Sequence, residues 1–276
     1  MSGKLYVVGT PIGNLGDMSP RAVEVLSAVD FIAAEDTRVT LKLLNHFGIS
    51  KPLISYFEHN KLQKAEHIIS RLQNGEKCAI VTDAGMPAIS DPGEELVREC
   101  RKSGIEIESV PGPSAVITAL AISGMSSARF CFEGFLSAQK QNRLLHLRGL
   151  TRESRTMIFY EAPHKLRATL ADMYECLGDR EIALCRELTK LHEEVRKTTL
   201  SEACAYYEQN APKGEFVLIV AGAEGKEQTE EFTLESAAAL AQSLVENGQS
   251  ASQAAKEAAQ ISGFKKGDIY KILIER

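Results

Sequence analysis

Short apolar runs alternate with amphipathic stretches along most of this chain. Lys4–Gly9, Phe31–Glu35, Pro52–Phe57, Lys77–Thr82 and Ile105–Val110 are compact and rich in Val, Ile and Ala, which predicts buried strands. Between them the apolar positions recur at helical spacing. Ser19-Pro20 supplies an N-cap and an N1 proline for the stretch RAVEVLSAV. Thr37–Phe47, Leu62–Asn74, Gly93–Ser103 and Pro113–Ser123 are further helices, closed by Gly48, Gly75, Gly104 and Gly124. Strands and helices in strict alternation, with near-continuous apolar strands, predict a parallel sheet covered on both faces.

A second alternating region follows. Phe130–Leu136, Thr156–Glu161, Glu181–Arg186, Glu193–Leu200 and Glu215–Ala221 are its strands, and His164–Leu177 and Ser201–Gln209 its helices. The acidic, aperiodic AEGKEQTEE is a linker. Beyond it lie a helix over Leu234–Glu246, closed at Asn247-Gly248, a short Ala-rich helix, a turn at Ser262-Gly263 and a last helix carrying Ile269, Tyr270, Ile272 and Leu273. Helix, Gly turn, helix is the helix-turn-helix pattern. The expected architecture is two α/β domains, 1–125 and 126–222, and a small helical domain, 233–276.

Ligands of α/β sheets bind beyond the carboxyl ends of the strands, so a site is expected at the loops there. They read GTPIGNLGD, AAEDTR, DAGMPAISDPG and PGPSA. The third is eleven residues long, although a plain connector needs only about 2–6. None of these loops is a G-x-G-x-x-G or a G-x-x-x-x-G-K-[ST] phosphate cradle. Proline fixes φ and removes a donor, while glycine lets backbones approach. Together they predict a rigid slot for a ligand less anionic than a pyrophosphate, of adenosine-like size.

Composition narrows the class. The 276 residues are 44% hydrophobic and 25% charged, as in ordinary globular proteins. No apolar stretch reaches the ~18 residues of a membrane span, and the N-terminus has no signal-peptide core, so a cytoplasmic location is expected. Six scattered cysteines without a C-x-x-C, and six histidines without an H-x-x-x-H, predict structural thiols and no metal site. The net charge is −5, yet residues 138–167 carry seven basic side chains against Glu153 and Glu161. A local positive field on an acidic protein suggests a polyanionic partner.

The loops, followed by FYEAPHKL, CRELTKLHEE and KGEFVLIV, closely resemble the ribosomal RNA small-subunit methyltransferase I family, a branch of the tetrapyrrole-methylase group. The tetrapyrrole enzymes generally carry a G-x-G-P-G type first loop; Thr10-Pro11-Ile12-Gly13 stands there instead and favours the RNA branch. The resemblance implies two methylase-type domains with S-adenosylmethionine in the cleft between them, usually within a homodimer. It implies 2′-O-methylation of a cytidine in the decoding region of 16S rRNA, on the small ribosomal subunit. Carried over by motif, the cofactor contacts would be Pro11, Asp83, Ala84, Gly85, Ile89, Ser114, Ala115, Tyr160, Leu188, Glu215 and Phe216.

Methyl transfer to an alcohol gains roughly 10²–10⁴-fold from a base. Asp36 and Glu187 are the favoured candidates, beside Glu35, His164 and Lys190. AAEDTR and RELTK equally suit ion pairs between strand ends. Arg38, Arg186 and Lys190 are candidates for RNA phosphates, as are Arg148, Arg152 and Arg155 in the basic segment and Lys265 and Lys266 in the tail. Two alternatives stay open: carbon methylation of a tetrapyrrole precursor, and a ligand-sensing nucleic-acid-binding regulator. The missing G-x-G-x-x-G argues against a nicotinamide dehydrogenase.

Overall fold

The computed structural model describes residues 3–57, 61–223, 233–246 and 248–275. They form two compact units, split after Ala223. All but the first residue of the AEGKEQTEE linker, and Asn247, lie outside the described residues.

The first sheet holds β1 (Lys4–Val8), β2 (Phe31–Ala34), β3 (Leu53–Ser55), β4 (Lys77–Val81) and β5 (Glu106–Val110). Its order is β3-β2-β4-β1-β5, parallel throughout. Helices α1 (Pro20–Ala28), α2 (Thr37–His46), α3 (Lys61–Gln73), α4 (Glu94–Lys102) and α5 (Ala115–Ile122) connect or follow the strands. The Ser19 side chain accepts from the Ala22 amide and caps α1 as expected. Two apolar clusters cover the faces of this sheet, one around Phe31, Ile80 and Leu96, the other around Val8, Ile32 and Val81.

The second sheet contains β6 (Phe130–Phe135), β7 (Thr156–Glu161), β8 (Glu181–Arg186), β9 (Glu194–Thr199) and β10 (Phe216–Val220). Its order is β6-β7-β10-β8-β9. Only β6 and β7 run parallel; β10 enters between β7 and β8 antiparallel to both, and β9 runs antiparallel to β8. The basic segment contains a helix, α6 (Lys140–Gly149), which packs with α7 (Pro163–Leu177) and α8 (Leu200–Gln209) over one face. The opposite face is covered by α5, whose Val116, Ala119 and Leu120 pack on Ile158, Ala183, Val217 and Ile219. An almost wholly apolar helix, AVITALAI, suits that position. By sequence α5 closes the first α/β region, yet it serves as a layer of the second, and the two sheets form one unit.

The second unit consists of α9 (Leu234–Glu246), α10 (Ala251–Ser262) and α11 (Lys266–Glu275). They share a small core of Ala237, Ala241, Ala254, Ala258 and Ile269. Gly263 takes the left-handed conformation at φ +77° that ends α10.

No described helix is long and apolar enough to cross a membrane, and no group of His, Cys, Asp and Glu among the described residues is arranged to hold a metal.

Candidate active site

The parallel order places the ends of β1 and β4 side by side, so their two long loops meet. Thr10 and Gly85 exchange backbone hydrogen bonds of 2.9 and 3.1 Å, and the Thr10 hydroxyl donates to the Thr82 carbonyl at 3.1 Å. The loop after β5 closes against the first: a Cβ on Gly9 would sit 2.7 Å from the Gly112 Cα. Gly85, Ala88, Ser90 and Gly93 all have positive φ. For Ala88 and Ser90 that conformation costs roughly 1–2 kcal/mol each. The eleven-residue loop is thus a shaped wall and no mere connector.

Its counterpart comes from the second sheet. Because β10 is antiparallel to β7 and β8, its first residues pair with their ends, Phe216 with Glu161 and Arg186, Val217 with Tyr160 and Cys185. Between these strand ends and the loops of the first sheet lies a cavity of about 490 Å³, within the range of small-molecule sites. Asp83, Ala84, Gly85, Ile89, Ser114, Ala115, Tyr160, Leu188, Glu215 and Phe216 all line it. Pro11 does not; it is buried behind the wall, and Ile12 takes the lining position. Ser114 sits at the N-cap of α5, but its side chain makes no capping bond. Glu35, one of the candidate bases, also lines the wall, as do Met86 and Asp91 of the eleven-residue loop; Thr82, Phe135 and Cys185 line it too and carried no signal in the sequence.

The charge of the wall is one-sided. Glu35, Asp83, Asp91, Glu161 and Glu215 line the cavity, while no Lys or Arg does among the described residues. Glu161 is neutralised by Lys165 at 3.0 Å and Glu215 by Lys190 at 2.9 Å. Glu35 accepts from the Thr82 hydroxyl at 2.6 Å, and Asp83 from the Asp36 amide at 3.1 Å. Burial, and then the neighbouring Glu35, raise the pKa of Asp83; the same two causes push Asp91 up to about 6. Such a wall repels a dinucleotide or a nucleoside triphosphate. It fits a ligand with an apolar body and positive charge, as a sulfonium bearing an α-amino group is.

Asp36 and Glu187 lie off this wall. Asp36 caps α2 and is clasped by Arg38, with Nη2 at 2.6 Å, which holds its carboxyl down to about 2. Glu187, at φ +51°, accepts from the Glu215 amide and from Lys190 Nζ, both at 3.0 Å, and these donors keep it below the ordinary range. Each is a structural lock rather than a free base. Burial opposes the Lys190 ammonium, but Glu215 and Glu187 outweigh it, so its pKa is raised and not lowered.

The basic segment is less free than its charge suggests. Arg143 is buried against Asp172 at 2.7 Å, Arg155 pairs with Glu153, Lys165 with Glu161, and Arg167 donates to the Tyr207 carbonyl at 2.5 Å. Arg148 and Arg152 remain exposed, as do Lys265 and Lys266 on the second unit, where Lys266 reaches Ser252 Oγ at 2.9 Å. Arg186 is paired with Glu194 at 3.0 Å.

Comparison with known proteins decides the family. Residues 4–204 match the family of tetrapyrrole (corrin/porphyrin) methylases. The ribosomal RNA small subunit methyltransferase I of Synechocystis is 48% identical over 99% of this chain and 98% of that protein. The enzyme of the same name from Escherichia coli O157:H7 is 47% identical over 99% of this chain and 96% of that protein. The chain belongs to the ribosomal RNA small subunit methyltransferase I family. Another member of that name, from Thermotoga maritima, is 49% identical and is covered over its whole length by 80% of this chain. The fraction left over is the size of the C-terminal helical unit. Among solved structures, the methyltransferase CobJ has a TM-score of 0.61 at 20% identity, covering 80% of this chain and 95% of that one. The cobalt precorrin-4 methyltransferase CbiF gives 0.58 at 16%, over 79% and 94%. These two share the fold of the α/β unit. Membership of the rRNA methyltransferase family makes the chain a methyltransferase with S-adenosylmethionine as its cofactor.

Proposed function

We propose that this chain transfers the methyl group of S-adenosylmethionine to the ribose 2′-oxygen of a cytidine in the decoding region of 16S rRNA, on the small ribosomal subunit. The observation that carries the donor half of this reading is the carboxylate-lined cavity, which suits a sulfonium. Ile12, Ala84, Ile89 and Leu188 would enclose the apolar parts of the cofactor. The Ser114 hydroxyl and the first amides of α5 would receive its carboxylate, and Asp83 its ammonium group. When bound, the cofactor supplies an electrophilic methyl carbon. The protein's own contribution is to hold the donor and exclude water around it, which can supply roughly 7–11 kcal/mol through alignment alone.

The acceptor half rests on relatedness of 43–49% to small-subunit rRNA methyltransferases over most of their length, against 13–20% for the structures of tetrapyrrole enzymes and diphthine synthase. Arg38, Arg148 and Arg152, with Lys265 and Lys266, are the cations we assign to rRNA phosphates; Arg38 also holds Asp36, but its side chain is 87% exposed and keeps donors for a phosphate. Arg155, Arg186 and Lys190 serve first as partners of acidic side chains. Self-association as a homodimer is supported by apolar side chains left in solvent on the α/β unit, Leu191 being 93% exposed. We place the enzyme in the cytoplasm, with its substrate.

The test uses tritiated S-adenosylmethionine, the purified protein, and three acceptors: unmodified small subunits, free 16S rRNA, and a tetrapyrrole precursor. Label on subunits or rRNA supports the reading. Label on the tetrapyrrole alone contradicts it.

A further inference from the structure

A second cavity, of about 590 Å³ and more open to solvent, lies next to the first. Glu35 and Asp91 line both; Phe57, Ala88, Ser90 and Glu94 belong to the second. A methyl acceptor must reach the donor from outside, so a group on the shared boundary is placed where acceptor and donor meet. We propose that the second cavity receives the acceptor nucleoside and that Asp91 takes the proton of its hydroxyl as the methyl group is transferred. The proposal rests on the rRNA reading above and names the residue which that reading leaves open.

The two boundary carboxyls are not equivalent. A hydroxyl carries one proton, and that of Thr82 goes to Glu35 at 2.6 Å, although Asp91 also lies close to it. Asp91 is half-buried, in a segment where Ser90 and Gly93 both hold positive φ. The charged and titratable groups facing it are Glu35 from the end of β2, Asp83 from its own loop, Glu94 at the start of α4 and Tyr160 from β7. None of these is a cation. An incoming hydroxyl therefore finds at Asp91 a carboxylate more basic than an ordinary one, whose side-chain donor Thr82 is shared with Glu35. In the reaction a C–O bond forms at the ribose oxygen. The methyl C–S bond breaks with its electron pair left on a neutral thioether. The hydroxyl proton passes to Asp91, which returns it to water through the open second cavity.

The sign of the pH effect follows from burial and Glu35, which raise this carboxyl to about 6. As the base it must be ionised, so turnover falls as pH drops through about 6. The same elevation means that ionising Asp91 costs folding stability above that pH. Below about 4, where the unfolded chain is protonated too, the cost vanishes.

The experiment compares the native protein with Asp91→Asn and Asp91→Glu in methyl transfer to small subunits, at saturating S-adenosylmethionine from pH 5 to 9. Cofactor affinity is measured by calorimetry. Asp91→Asn is expected to lose about 10²–10⁴-fold in kcat, to lose the limb near pH 6, and to keep cofactor affinity within about tenfold. Asp91→Glu recovers part of kcat and the limb. Asp91→Asn should also melt higher than the native protein at pH 7.5 but not at pH 4. Native kcat in Asp91→Asn, or an unchanged acid limb, overturns the assignment alone. Absence of transfer to rRNA by the native protein overturns the rRNA reading and this assignment with it.

Discussion

Gly9→Ala tests whether the cavity is preformed by its loops. A Cβ at residue 9 would lie 2.7 Å from the Gly112 Cα, 2.8 Å from its amide nitrogen and 2.7 Å from Met86 Sδ. The thioether can rotate away, but the two Gly112 atoms are backbone. They belong to the turn between β5 and α5, and the Gly9 amide is itself bound to the Val110 carbonyl at 3.0 Å. Relief to an ordinary contact needs about 0.7–1 Å of separation between the two loops. Overpacking of this kind costs typically 1–3 kcal/mol. For a unit of this size that corresponds to about 2–12 °C in Tm. Because Ser114 and Ala115 follow directly on the displaced turn and line the cavity, affinity for S-adenosylmethionine should fall at least about tenfold. Gly149→Ala is the matched control, since a Cβ there meets nothing within 4 Å at the end of α6. Removing a helical glycine should leave binding unchanged and raise stability by up to about 1 kcal/mol. Scanning calorimetry and titration of both variants decide the matter. A Gly9→Ala protein with native Tm and native cofactor affinity would refute the idea that the close approach of these loops sets the site.

Further outcomes are expected elsewhere in the α/β unit. Asp172→Ala leaves the buried Arg143 guanidinium without its carboxylate, with only the Ser137 and Ala138 carbonyls at 3.0 and 3.2 Å as acceptors. It should lose about 3–5 kcal/mol in urea unfolding; a loss below 1 would show the pair to be dispensable. Arg38→Ala should let the Asp36 carboxyl rise from about 2 towards the ordinary range, as followed by NMR titration. In the native protein whatever this pair contributes is present above about pH 4 and is lost as pH falls through about 2. Burial pushes the Cys100 thiol to about 11 and Cys185 to about 12. Native protein at pH 8 should therefore leave both unlabelled by iodoacetamide on a timescale that labels them fully in urea; equal rates would contradict their burial.

Much of the frame was legible because local signals and global packing agree. The five runs predicted as first-sheet strands form that sheet, with Gly48 and Gly104 at the helix ends, since period and turn chemistry are properties of neighbouring residues. What was hidden depends on distant residues. Nothing within FVLIV announces that β10 will insert antiparallel between β7 and β8, yet that insertion brings Glu215 and Phe216 to the cavity. Nor does AVITALAI disclose which sheet it covers. Charge misled where pairing is long-range: Arg143 counted towards the positive field of residues 138–167 and is neutralised by Asp172, 29 positions away. At the site, the motif residues reached the cavity wall with the exception of Pro11. Asp36 and Glu187 carried the right chemistry in their sequence neighbourhoods, but Arg38 and Lys190 occupy them. Asp91 sat in the loop whose length looked out of place for a connector. Its exposure to two cavities is a property of the folded loop, and only the oddity of the loop pointed towards it.

What remains decisive is which atom of which nucleotide receives the methyl group. The direct measurement is mass spectrometry of nucleosides from small-subunit rRNA, isolated from a strain lacking this protein, before and after incubation with the enzyme and S-adenosylmethionine. One new 2′-O-methylcytidine per subunit is expected, released by digestion of a decoding-region fragment and absent when the cofactor is omitted. A methyl group on a base, or no new methylated nucleoside while the cofactor is bound, would contradict it.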